Sequence, residues 1–163
     1  MIFAAEPPVV IGNAAGVDVK IKAVGATLPQ EVLVHTDSPI QSFKDLKGKK
    51  IAALSGTSAH YGTNKNLVES GVSASDVQII DMVPPDAKAA FESNQVDAWA
   101  VWPPFLEQEE ISGKGRILPG SNVDIQSVVG MRGKFTTDHP ELTQALLETV
   151  KRAQEWVVEN PQD

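Results

Sequence analysis

The chain has 163 residues, 42% of them hydrophobic and 21% charged, enough for one sizeable core or two small lobes. Its net charge of -7 and the lack of a strong basic patch argue against nucleic acid or an anionic membrane as partner. There is no cysteine, which removes disulfides, thiolate metal sites and a cysteine nucleophile, and the apolar runs are too short to span a bilayer.

In chain order, Met1 to Ala4 reads as the end of a strand, and "EPPVVIGNAAG" as a helix opened by prolines and closed at Gly16. "MIFAAEPPVVIG" has no basic n-region and reads as the inside of a fold, so an exported protein would have lost its leader before Met1. "VKIKAVG" (Val19 to Gly25) alternates like a half-buried strand, and "EVLVHT" (Glu31 to Thr36) is a second one. "DSPIQSFKDLKGKK" holds a short helix capped by Ser42. From Lys49 strands and helices alternate: "KKIAAL", "SAHYGTNKNLVES" closed by Gly71, "VQIIDMV", "PPDAKAAFESNQ", "VDAWAVW", "PPFLEQEEI", "GRILP" and "VDIQSVVGM". In the last helix, Asp138 is expected as N-cap with Glu141 completing a capping box, and Leu142, Leu146, Val150, Ala153 and Val157 mark one face. The alternation predicts an α/β fold with a mainly parallel sheet, in two lobes.

Ligands of open α/β sheets bind beyond the carboxyl ends of the strands, so the strand-to-helix junctions carry the candidate chemistry. "IAALSGTSAHY" offers Gly56 for close backbone approach, hydroxyls on Ser55, Thr57 and Ser58, and His60 beside them. A helix N-terminus favours an anion by roughly 0.3–1 kcal/mol. Spacing alone, however, favours the plainer reading that Thr57 or Ser58 caps the helix. Of Trp99 and Trp102 one is expected in the core, and Trp102, at the carboxyl end, is the candidate to line a pocket. Asp86 faces the same edge, with an N-cap role preferred over ligand contact. At "AAEPPVV", Glu6 is an acceptor for a cationic or hydroxylated group, or a first-turn acid complementing the helix dipole. His35, His60 and His139 lack metal-ligand spacing, there is no nucleophile elbow or phosphate loop, and no catalytic set, metal or cofactor is predicted.

Together "DLKGKKIAALSGTSAHY", "PPDAKAAFESNQVDAWAVWPPF" and "HPELTQALLETVKRAQEWVVENPQ" resemble solute-binding proteins of ABC importers, of the aliphatic sulfonate, taurine and nitrate type. "EPPVVIGNAAG" resembles the acid-x-Pro turn of the other lobe. The resemblance implies a type II periplasmic-binding fold: two Rossmann-like lobes joined by two crossover strands, here residues 1–36 with 126–163, and 37–125. It implies an extracytoplasmic protein, periplasmic or cell-surface, that binds a small organic anion in the inter-lobe cleft and delivers it to a membrane permease. The implied contacts are Ser55, Gly56, Thr57, Ser58 and His60 in one lobe, Glu6 and Pro8 in the other, with Asp86 nearby and Trp102 as a wall.

Relatives often have Trp-Asp-Pro where this chain has Trp102-Pro103-Pro104, which argues against an amine-bearing ligand such as taurine. They are also longer, so the first lobe is expected to be incomplete, with open sheet edges covered by strand exchange between copies. The alternatives are an enzyme on the same fold, of the pyrimidine-precursor synthase kind, or the effector-sensing domain of a transcription regulator. A cysteine-dependent desulfinase is excluded by composition.

Overall fold

The computed structural model describes residues 1–121 and 123–161. Strand β1 (Ile2–Ala5) leads into helix α1 (Glu6–Ala14), then β2 (Val19–Pro29) and β3 (Val32–His35). A 3-10 turn at Phe43–Leu46 precedes β4 (Lys50–Ala53), α2 (Ser58–Glu69), β5 (Gln78–Asp81), α3 (Pro84–Glu92) and β6 (Ala98–Ala100). The chain continues through α4 (Phe105–Ile111), β7 (Gly115–Ile117), β8 (Asp124–Arg132), α5 (Gly133–Asp138) and α6 (Pro140–Glu159). It divides into two compact units, Met1–Ala26 with Gln126–Asp163, and Thr27–Ile125. Both passages between units therefore fall inside strands, one in β2 and one in β8.

The second unit is a five-stranded sheet in the order β5-β4-β6-β3-β7. Strand β4 runs parallel to β5 and β6, whereas β3 is antiparallel to both β6 and β7. The mainly parallel sheet expected from the alternation is thus limited to three strands. The two-residue period of a strand puts neighbouring side chains on opposite faces. Val32, Val34, Ile51, Ala53, Ala98 and Ala100 accordingly join one buried cluster, with Phe43 and Leu46 of the 3-10 turn and Ala59 and Leu67 of α2. Leu33, Ala52, Trp99 and Val101 join the other, with Ala87, Ala90 and Phe91 of α3 and Leu106 of α4. Burial on both faces explains why these strands read as continuous apolar runs. Behind them, the fully buried Glu109 of α4 accepts a 2.5 Å bond from Lys88 Nζ of α3, tying the two helices. That hydrogen bond raises the Lys88 pKa above its ordinary value, against a smaller opposing effect of desolvation.

Residues 27–36 fall in the second unit, not with lobe one, because β3 is hydrogen-bonded between β6 and β7 there. The first unit has a three-stranded sheet, β1-β8-β2, with β1 antiparallel to β8 from Ile2 opposite Gly130 to Ala5 opposite Ser127. The expected capping box at Asp138 does not form. Gly133–Asp138 makes its own helix, anchored where Asp18 Oδ2 accepts the Lys134 N–H at 2.8 Å. Asp138 ends that helix paired with Lys134 at 2.9 Å, and His139 takes the N-cap position of α6 without a side-chain bond. Leu146, Val150, Ala153 and Val157 share one face of α6, as their spacing requires, and line an open groove of 720 Å³ with Met1, Phe3 and Val24.

Candidate functional site

Three strand-to-helix junctions, after β4, β5 and β6, share the carboxyl edge of the parallel strands in the second unit. After β4 the backbone turns sharply through Gly56 at φ +77°, a conformation that disfavours any residue with a Cβ. Thr57 closes the turn. Its Oγ1 donates to the Leu54 carbonyl at 2.6 Å and accepts the His60 N–H at 3.3 Å, so Thr57, not Ser58, is the N-cap of α2. The Ser55 N–H donates to Asp81 Oδ1 at 2.8 Å, from the end of the neighbouring strand. The first helical bond runs from the Tyr61 N–H to the Thr57 carbonyl at 3.1 Å. Among the described residues, the N–H groups of Gly56, Ser58 and Ala59 have no partner in the chain. Three free donors at the positive end of a twelve-residue helix are the arrangement that attracts negative charge.

The other junctions are chemically different. Helix α3 begins Pro84-Pro85-Asp86, two residues without an N–H followed by an acid. Val83 occupies its N-cap and Asp86 is the third helical residue, exposed, which overturns the N-cap reading of Asp86. Helix α1, in the first unit, begins Glu6-Pro7-Pro8 in the same pattern, with Glu6 and Pro8 half-buried. Neither start can match the donors of α2. Trp99 is in the core, at 1% exposure, while Trp102 lies two residues past β6, half-buried and packed against both clusters. From Ala53 to Tyr61 and from Asp81 to Ala87 there is no lysine or arginine, so apart from His60 the donors these two stretches offer are N–H groups and hydroxyls.

The structure therefore brings Ser55, Gly56, Thr57, Ser58, His60, Asp86 and Trp102 to one edge of the second unit, and puts Glu6 and Pro8 at the start of α1 in the first. The other histidines are elsewhere: His35 stacks on Phe91 with centroids 4.1 Å apart, and His139 packs near Phe135. Sequence reasoning missed Asp81. An acid following the isoleucine pair Ile79-Ile80 was a visible signal, but its bond to Ser55 depends on β4 and β5 being neighbours in register, with Ala53 opposite Asp81. Behind the start of α2, Asn66 donates to the Gln30 carbonyl at 3.2 Å and to Ser121 Oγ at 3.1 Å, fixing the helix from its far end. Among the described residues no cluster of three histidine, aspartate or glutamate side chains is placed to hold a metal.

The model of the NMT1/THI5-like family matches residues 3–163. A protein of Bacillus subtilis (strain 168) named as an aliphatic sulfonates-binding protein is 38% identical over 94% of this chain and 48% of its own length. One of the same name from Escherichia coli (strain K12) is 36% identical over 68% of this chain and 35% of its own. Among solved structures, the alkanesulfonate-binding protein SsuA from Xanthomonas axonopodis pv. citri, bound to MOPS, superposes with a TM-score of 0.84 at 28% identity, over 98% of this chain and 56% of that one. The chain thus has the type II periplasmic-binding fold, and it spans about half the length of the curated relatives it matches. With nearly the whole chain matched, it belongs to the NMT1/THI5-like family.

Proposed function

We propose that this chain is a solute-binding component of an ABC importer, extracytoplasmic, holding a small sulfonate-like organic anion and passing it to a membrane permease. The carrying observation is the start of α2, with free N–H groups on Gly56, Ser58 and Ala59 beside the Ser55 and Ser58 hydroxyls. The relatives named for sulfonate binding and the SsuA structure bound to MOPS, itself a sulfonate, support the choice of anion. Trp102 would wall the site on one side. Glu6 and Pro8 are retained as proposed contacts of the first unit. The protein binds its ligand and does not convert it.

Calorimetry with ethanesulfonate tests this reading. Binding is expected, and Ser58→Pro is expected to weaken it by about tenfold or more, the loss of a hydrogen bond to a charged group. Proline is tolerated at the first helical position, and Thr57 already has the extended conformation that precedes it, so α2 should survive. No heat with ethanesulfonate, nitrate or small carboxylates would sink the proposal. Strand exchange between copies at the edge strands β1 and β2 belongs to the same reading, and a monodisperse monomer in light scattering would remove it.

A further inference from the structure

We infer that Glu109, through its ion pair with Lys88, is a positioning residue for Trp102: it fixes the one register of α4 on α3 that holds the Trp102 ring in place beyond β6. The part of this that concerns a ligand rests on the reading of Trp102 as a wall of the site. Among the described residues Glu109 is the one buried acid, at 0% exposure. Its Oε1 accepts from Lys88 Nζ at 2.5 Å, and its Oε2 has no hydrogen-bond partner. Its stem lies on β7, where a Cβ on Gly115 would meet the Glu109 Cβ at 3.1 Å, and its backbone carbonyl accepts the Lys114 N–H at 3.1 Å. One residue thus pins α4 both to α3 and to the strand that follows. Lys88 also lies 3.5 Å from Glu92, which pairs with Lys114 at 3.0 Å.

Stability does not account for this pair. A buried carboxylate loses its hydration, and one ammonium that is itself 34% exposed returns only part of it. An apolar pair of the same bulk is often as stable or more so. What the charged pair supplies is register. Two apolar faces tolerate a small slide, whereas a short bond between two fixed points has one solution. That register reaches Trp102 by a short path. Glu109 follows Phe105 by four residues and Leu106 by three, so the three share the inward face of α4. The Phe105 ring packs on Trp99 with centroids 5.8 Å apart, and Leu106 is buried in the cluster that holds Ala87, Ala90 and Phe91 of α3. The Phe105 N–H donates to the Trp102 carbonyl at 3.2 Å, so the turn that opens α4 begins at Trp102 itself. Trp102, half-buried and packed against both clusters, is carried by that turn, and a slide of α4 moves the ring with it.

Fluorine NMR of the chain labelled with fluorotryptophan tests this, with one line each for Trp99, Trp102 and Trp156, assigned from Trp102→Phe and Trp156→Phe. The variants are Glu109→Leu, which keeps the bulk and leaves Lys88 to Glu92 and solvent, and the double variant Glu109→Leu with Lys88→Met, which leaves no charge at the contact. The expected result is a Trp102 line that shifts and broadens in both, a Trp156 line in the first unit that stays put, and a double variant no less stable in urea than wild type. Ethanesulfonate affinity, by calorimetry, is expected to fall about threefold to tenfold, a fraction of what covering a large aromatic side chain is worth. A Trp102 line as narrow as in wild type and at the same shift, in either folded variant, assigns the pair to holding the helices together and overturns the inference. A moved line with unchanged ethanesulfonate affinity overturns the part of Trp102 in the ligand wall. A wild-type chain that does not bind ethanesulfonate overturns that wall as well, and the fluorine lines decide the positioning by themselves.

Discussion

The second unit buries a cluster on each face of its sheet, whereas the first leaves much of its apolar surface open. In the second, Trp99, Phe91, Leu33 and Ile51 are all at 1% exposure or less. In the first, Phe3 is 65% exposed, Val24 62% and Val157 62%, although Val128, Val129 and Met131 of β8 are buried. Hydrophobic patterning is present in both. What differs is coverage: α2 and the 3-10 turn on one face and α3 and α4 on the other close the second unit's sheet, while the stripe on α6 faces a groove. A stripe contributes its full transfer free energy only when something fills the space opposite it.

Three measurements would break or sharpen that contrast. The largest effect is expected from Trp99→Ala, which should cost about 3–5 kcal/mol in urea denaturation, as for large core residues elsewhere. Val24→Ser, in the groove, should stay within about 0.5 kcal/mol. Equal costs would mean that the groove is filled in solution and that the contrast is false. Next come two glycines in helix interiors. A Cβ on Gly62 of α2 would overlap the Gln30 side chain, so Gly62→Ala should cost about 1–3 kcal/mol through overpacking. In α1 of the first unit, a Cβ on Gly12 meets only Val17 at 3.8 Å, and Gly12→Ala should gain up to about 1 kcal/mol from helix propensity. A stabilising Gly62→Ala would show that Gln30 can move aside.

The smallest effect is a surface lock of the second unit. The Asp45 carboxylate accepts the Gln41 N–H at 3.0 Å and the Ser42 N–H and hydroxyl at 2.9 and 3.0 Å, and these bonds, led by that of Gln41, hold its pKa below the ordinary value. A depressed carboxylate contributes stability above its unfolded pKa of about 4 and loses it as pH falls through the folded value. The stability difference between wild type and Asp45→Asn, followed by thermal melting, should therefore be present near neutrality and vanish in acid. A difference that persists at low pH would assign the effect to shape and not to charge.

Much of the second unit was legible from local chemistry. Apolar runs gave β4 and β5, proline pairs gave the starts of α1 and α3, and the glycine at position 71 ended α2 at Glu69 with φ +78°. The turn at Gly56 and the Thr57 cap of α2 were legible too, because a glycine and hydroxyls between strand and helix are a local pattern. Legibility failed where partners are distant in sequence. β3 looked like part of the first lobe until β6 and β7 claimed it, and Asp138 looked like a cap until Asp18, more than a hundred residues away, anchored α5 before it.

The sequence by itself determined most of the strands and helices, the α/β class and the glycine-and-hydroxyl start of α2, since these depend on periodicity and on residues within a few positions of one another. Tertiary structure alone decided that Asp81 lies against Ser55, that Gly62 must be small to admit Gln30, and that the stripe of α6 is left uncovered. Those three facts depend on which elements become neighbours. Neighbourhood is set by the competition of whole faces for burial, a sum over the fold that no local stretch contains.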